Sequence, residues 1–128
     1  MKKSTVAGVS DKIASGGEIL SYSAANDGKT VTRVGSGTAL TGNVIACVAK
    51  ESVATGDEGY HLCQTRGYAL VKWDASSLEW ARGESLCVNP VGAAVNCNGA
   101  GSKTGVIALE AKGRGTSGDA MPVMLKLD

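Results

Sequence analysis

An all-β fold, a compact small barrel or sandwich with at most a short helix, follows from three features of the sequence. First, a two-strand unit occurs twice. Val44 to Cys63 reads VIACVAKESVATGDEGYHLC and Val106 to Leu125 reads VIALEAKGRGTSGDAMPVML, 62 positions on without a gap, with seven of twenty aligned pairs identical. Each copy places an apolar, β-branched run before a small-residue stretch ending in Gly-Asp and a second apolar run, the sequence form of two strands joined by a loop. Second, Gly is 18 of 128 residues, Phe is absent and aromatic residues make up 4 %. That composition predicts many turns and a core of Val, Ile, Leu and Ala. Third, short alternating runs are punctuated throughout by Gly, Asn and Asp, which predicts about eight to ten short strands.

Taken in order, residues 1–15 read as a flexible arm and residues 16–128 as a single β-rich domain containing the repeat units 44–63 and 106–125. Small and polar residues with two early lysines give the arm no pattern of its own. EILSYSA (Glu18 to Ala24), the turn Asn26-Asp27-Gly28 and KTVTRV through Val34 predict a hairpin. GSGTALTG (Gly35 to Gly42) leads into the first repeat. QTRGYALVKW continues the strand pattern to Trp73, with Gly67 marking a bulge or bend. Asp74 to Ala81 opens on a helix-capping residue and predicts one helical turn. The run SLCVN, a Pro90–Gly92 turn and AAVNC follow, then a loop over 98–105 and the second repeat. Four places set small residues and Gly before an acid near a strand start: Gly17-Glu18, Gly56-Asp57, Gly83-Glu84 and Gly118-Asp119. Glycine suits a turn that requires positive φ.

Charge and motifs exclude several function classes. A formal net charge of +1, with no basic stripe interleaved with aromatics, gives no field for nucleic acid. No stretch approaches a membrane span, and polar residues interrupt the N-terminal segment, so synthesis as a soluble cytoplasmic protein is the expectation. Gly99-Ala100-Gly101-Ser102-Lys103-Thr104 resembles a phosphate loop, but Ser102 stands where the glycine before Lys-Thr is required and a strand pattern follows. Asp57 and His61 lack a nucleophile at fixed spacing. Neither catalytic residues nor cofactor or metal ligands are assigned, and an enzyme is the least expected class.

The cysteines Cys47, Cys63, Cys87 and Cys97 show no metal-ligand spacing. Free thiols are the expectation for a chain without an export signal. A hairpin centred on Thr55 sets Cys47 opposite Cys63, where the second copy has Leu109 and Leu125, so a packed core pair is favoured over a disulfide or metal role. Lys50 and Lys112, equivalent in the repeat, mark solvated strand ends or contacts. Trp73 and Trp80, with Tyr60 and Tyr68, are expected as core anchors or as an interface.

QTRGYALVKWDAS (Gln64 to Ser76), the strand opening Gly83-Glu84-Ser85-Leu86 and the closing TGVIALEAKGRGTSGDAMPVMLKLD resemble tailed-phage capsid decoration proteins, also called cement or head-stabilisation proteins. The resemblance covers Val44 to Asp128. It implies a non-enzymatic protein on the outside of the virion, bound to the major capsid protein and bridging neighbouring shell subunits, often as a homotrimer and otherwise as a dimer. It also implies an N-terminal arm that orders on the shell, through Val6, Val9 and Ile13. Two other readings have sequence support. One is a lipoyl- or biotinyl-type carrier modified at Lys112 in Ala111-Lys112-Gly113; the other is a sandwich adhesin or carbohydrate-binding module with a platform of Trp73 and Trp80.

Overall fold

The structure, a computed structural model, describes residues 3–9, 16–22, 30–33, 45–51, 59–89, 91–97 and 105–127. Among these the fold is all-β, with nine strands and no helix. In chain order they are β1 (Lys3–Val9), β2 (Ile19–Tyr22), β3 (Thr30–Arg33), β4 (Ile45–Ala49), β5 (Gly59–Asp74), β6 (Leu86–Val88), β7 (Ala94–Asn96), β8 (Val106–Ala108) and β9 (Ser117–Lys126).

The pairings close two rings on one shared strand. In the first, β1 pairs β3 in parallel, and β3–β2, β2–β4, β4–β5 and β5–β1 are antiparallel. In the second, β5–β9 and β9–β8 are antiparallel, an Ile107–Ser85 bridge joins β8 to the start of β6, β6–β7 is antiparallel, and β7 returns to β5 in parallel at Trp73–Ala94. Strand β5 is 16 residues long and changes neighbours midway. Its first half, to Arg66, pairs with β1 and β4, and its second half, from Arg66, pairs with β9. Gly67 sits at the changeover with φ of +92°, a conformation that a side chain resists. The bend expected there is therefore present, although the extra residues fall nearby. They are Thr65 opposite β1, and Asp119–Ala120 opposite β5.

Each ring has its own apolar interior. Among the described residues, Leu20, Val31, Ala46, Cys47, Ala49 and Cys63 cluster in the first. A larger cluster, including Val71, Trp80, Leu86, Val106, Met121, Val123 and Leu125, fills the second. Ile19, Ile45 and Val48 belong to the second cluster although their strands close the first ring, so β2 and β4 bury both faces. This is why IACVA is buried at every position rather than alternately. Trp80 anchors the larger cluster: it is 3 % exposed, its indole Nε1 donates to the Glu110 carbonyl at 3.2 Å, and it meets Trp73 edge-to-face with centroids 6.1 Å apart.

Both repeat copies form antiparallel strand pairs, but in different registers. Cys63 faces Ala49 in the first, whereas its equivalent Leu125 faces Val106 in the second. After Leu109, whose N–H still donates to the Pro122 carbonyl at 3.1 Å, the second copy leaves β9 and reaches across to Trp80 through a bridge at Lys112.

Several sequence expectations are corrected. The cysteines are not free thiols: Cys47–Cys63 and Cys87–Cys97 are disulfides, with Cα–Cα distances of 5.6 and 4.9 Å. The strand registers bring each pair within bonding distance. Cys63 lies opposite Ala49, which places Cys47 on the diagonal, and Cys87 lies opposite Val95, with Cys97 two residues further on. Both bonds are thus diagonal staples, one per ring. Residues 1–15 do not form a free arm throughout, because the backbone of Lys3–Val9 pairs along β5 from Arg66 to Gly59 and supplies partners to an edge that would otherwise be open. Residues 10–15, and with them Ile13, lie outside the described residues.

The helical turn at 74–81 is a bend instead. Asp74 Oδ1 accepts from Ser76 N–H at 2.9 Å, so the capping side chain closes its own local turn. Hydrogen bonds from the Ser76 side chain and backbone hold the Asp74 carboxyl below the usual aspartate range. Of the Gly-acid signatures, Gly17 and Gly83 have positive φ just before β2 and β6, while 56–57 lies outside the described residues. Gly118 differs: it lies within β9 under Trp73, where an added Cβ would come 2.8 Å from Trp73 Nε1. The 90–92 turn is closed by Asn89, whose Oδ1 accepts from Val91 and Ala93 N–H at 3.1 and 2.9 Å.

Candidate interaction face

From Thr65 to Val71 strand alternation sends the odd-numbered residues of β5 inward and its even-numbered residues outward, whereas Gln64 just before them is buried. Beyond Gly67 the outward positions carry Tyr68 and Leu70, 46 % and 50 % exposed. The registers extend this face across two further strands: Tyr68 opposes Met124, Leu70 opposes Pro122, and Met124 opposes Ile107. Directly opposed residues point to the same side, so these five form one apolar face, with Ile107, Pro122 and Met124 half-buried. Arg66 and Lys126, opposed and both exposed, border it at one end, and Lys72 lies beyond Leu70 at the other.

Beside Tyr68 and Leu70 opens a cleft of about 280 Å³, lined also by Gly16, Gly17, Val48, Ala49, Lys50, Gln64, Ala69 and Asp119. Gln64 organises it. The side chain is fully buried, and its Nε2 donates to the carbonyls of Arg66 and Tyr68 at 2.9 and 2.7 Å. Those carbonyls flank Gly67, so an amide side chain satisfies backbone groups at the changeover in β5. Its remaining acceptor, Oε1, receives the Lys50 ammonium at 3.1 Å. Gly17 closes the cleft wall, donating its N–H to Ala49 O at 2.9 Å and accepting from Lys72 N–H at 3.0 Å. Beneath the wall lies Glu18, fully buried, with Lys72 Nζ 4.0 Å from its carboxylate.

The residues singled out in the sequence do not converge on one site. Lys50 lies in the cleft, exposed and held by Gln64. Lys112 has a different setting. Its ammonium lies 2.6 Å from Glu110 Oε1 and 4.5 Å from the centroid of the Trp73 ring, which it covers. Trp80 is a core residue, and Trp73 is partly buried against the same cluster. Tyr68, grouped with the core aromatics in the sequence, instead stands on the outer face. Val6 and Val9 have backbone partners Leu62 and Gly59 on β5. Leu70 and Gln64 were missed. The alternation of QTRGYALVKW carried the signal for Leu70, which it sets outward with Arg66, Tyr68 and Lys72; it sets Gln64 outward as well, so no local pattern announced the burial of that amide.

Among the described residues there is no group of three His, Cys, Asp or Glu that could hold a metal ion, and no helix is long and apolar enough to cross a membrane. The sites of the phosphate-loop resemblance, 99–104, and Asp57 lie outside the described residues. No family model matches the chain, and no curated protein matches it.

Proposed function

We propose that this chain is a capsid decoration protein: a non-enzymatic structural protein that binds the outer surface of a phage shell and stabilises it by bridging neighbouring major capsid subunits. The observation that carries the reading is the apolar face centred on Tyr68 and Leu70, set on a sheet whose opposite side is fully packed. Contiguous apolar surface on a rigid support is the form of a protein contact. Two buried disulfides, one per ring, suit a protein that works outside the cell. Many copies binding only the assembled shell stabilise it by mass action, even where each site is weak. A trimer about a local three-fold position is the assembly that this reading favours.

Two observations weigh against the alternatives. A carbohydrate platform requires open aromatic rings, whereas Trp80 is buried and Lys112 covers Trp73. A carrier lysine must extend freely from a hairpin tip, whereas Lys112 is bridged to Trp80 and folded onto Glu110 and Trp73. The test is sedimentation of the chain with shells stripped of it. The double variant Tyr68→Ser, Leu70→Ser is expected to remain folded and to bind at least tenfold more weakly, about the loss for two exposed apolar contacts. Unchanged binding of that variant would remove this face from the account.

A further inference from the structure

The cleft beside the apolar face specifies what kind of segment docks there, an inference that rests on the docking reading above. Lys50 is exposed, yet its ammonium is not left to wander: one hydrogen bond goes to Gln64 Oε1, and Gln64 is itself locked by two hydrogen bonds to backbone carbonyls. An ammonium has three donors, so Lys50, which lines the cleft, keeps two beyond its bond to Gln64. The apolar wall next to it is Leu70 and Tyr68, both about half exposed. The wider border repeats the sign of the charge. Arg66 and Lys126 stand directly opposite each other on adjacent strands, so both residues at that end of the face are basic. Asp119 is the acid in the cleft lining, and it comes from the bulge in β9.

We propose that the cleft and apolar face together bind an extended segment of the shell subunit in which a carboxylate is flanked by apolar side chains. The carboxylate takes the two remaining donors of Lys50, and the apolar neighbours cover Tyr68 and Leu70. Charge complementarity sets the sign of the partner, while the buried Gln64 pre-organises the cation so that little side-chain freedom is lost on docking. A cationic segment of the same shape is rejected.

The test uses the full chain, ¹⁵N-labelled, titrated with three N-acetylated, C-amidated hexapeptides: Gly-Glu-Leu-Glu-Leu-Gly, its Gln-for-Glu version and its Lys-for-Glu version. The glutamate peptide is expected to shift the amides of Lys50, Tyr68 and Leu70, and the glutamine peptide to bind about tenfold more weakly, the worth of one charge-assisted hydrogen bond. Raising the salt concentration and Lys50→Gln each weaken the glutamate peptide to the level of the glutamine one. Lys112→Gln leaves it unchanged, because that ammonium is engaged by Glu110 and Trp73. Equal affinity for the three peptides, indifference to Lys50→Gln, or no shift at these amides would each overturn the proposal. None of those results bears on whether the protein is present on virus particles, so the two readings fail separately.

Discussion

The two rings are closed around the same kind of repeat but hold their interiors by different means. Among the described residues, the buried cluster of the first holds six side chains, none larger than leucine, two of which are the disulfide-bonded Cys47 and Cys63. The second encloses a cluster built on Trp80, Leu86, Met121 and Leu125, and its disulfide, Cys87–Cys97, lies outside that cluster at the end of the β6–β7 pair. Side chains as small as these, Leu20 with Ala, Val and Cys, each remove less apolar surface from water than Trp80 or Met121 does in the second cluster. The comparison teaches that the same two-strand unit can be stabilised chiefly by a covalent tie or chiefly by packing, depending on the side chains that surround it.

Breaking the packed ring gives the largest expected effect. Trp80→Ala removes the anchor of the larger cluster, its hydrogen bond to Glu110 and its edge contact with Trp73, and should lower stability by about 3–5 kcal/mol in urea denaturation. Next come the disulfides. The sequence separations of 16 and 10 predict nearly equal loop-entropy contributions, about 3 kcal/mol each. Any inequality between the pair variants Cys47→Ala, Cys63→Ala and Cys87→Ala, Cys97→Ala therefore reports the surroundings and not the loop. The first pair is expected to lose more, with amides of β2 and β4 losing hydrogen-exchange protection while β8 and β9 keep theirs. Equal losses, or β8 and β9 exchanging first, would mean that the rings are one cooperative unit and that the contrast has no energetic content.

Much of this architecture was legible in the sequence because it is local. The two-strand repeat, the bend at Gly67 and the Asn89–Gly92 turn each depend on residues within about twenty positions of one another. What was not legible depends on pairing between distant segments. The disulfides were missed although Cys47 and Cys63 were expected to be neighbours: the lack of an export signal and the leucines at the equivalent places, Leu109 and Leu125, argued for packed thiols, while Cys87 and Cys97 are joined by a strand register that no local signal reveals. The pairing of Lys3–Val9 with β5 was hidden because its partners, Gly59 to Arg66, lie fifty or more residues away. The role of Gln64 was hidden because its partners are backbone carbonyls exposed only where β5 changes neighbours. Tyr68 and Leu70 could have been assigned to the outer face by alternation alone. The scarcity of aromatic residues argued for burying Tyr68, and position outweighed composition.

A decoration protein must be a stoichiometric part of a virus particle. Quantitative mass spectrometry of purified particles from the source that encodes it, with the chain counted against the major shell protein, measures this without reference to any residue assignment. The account predicts copies approaching the number of shell subunits, retained after washing and lost together with particle stability when the chain is stripped. Particles that contain none of it, or only a few copies each, would contradict the decoration role, whatever the face around Tyr68 and Leu70 is found to bind.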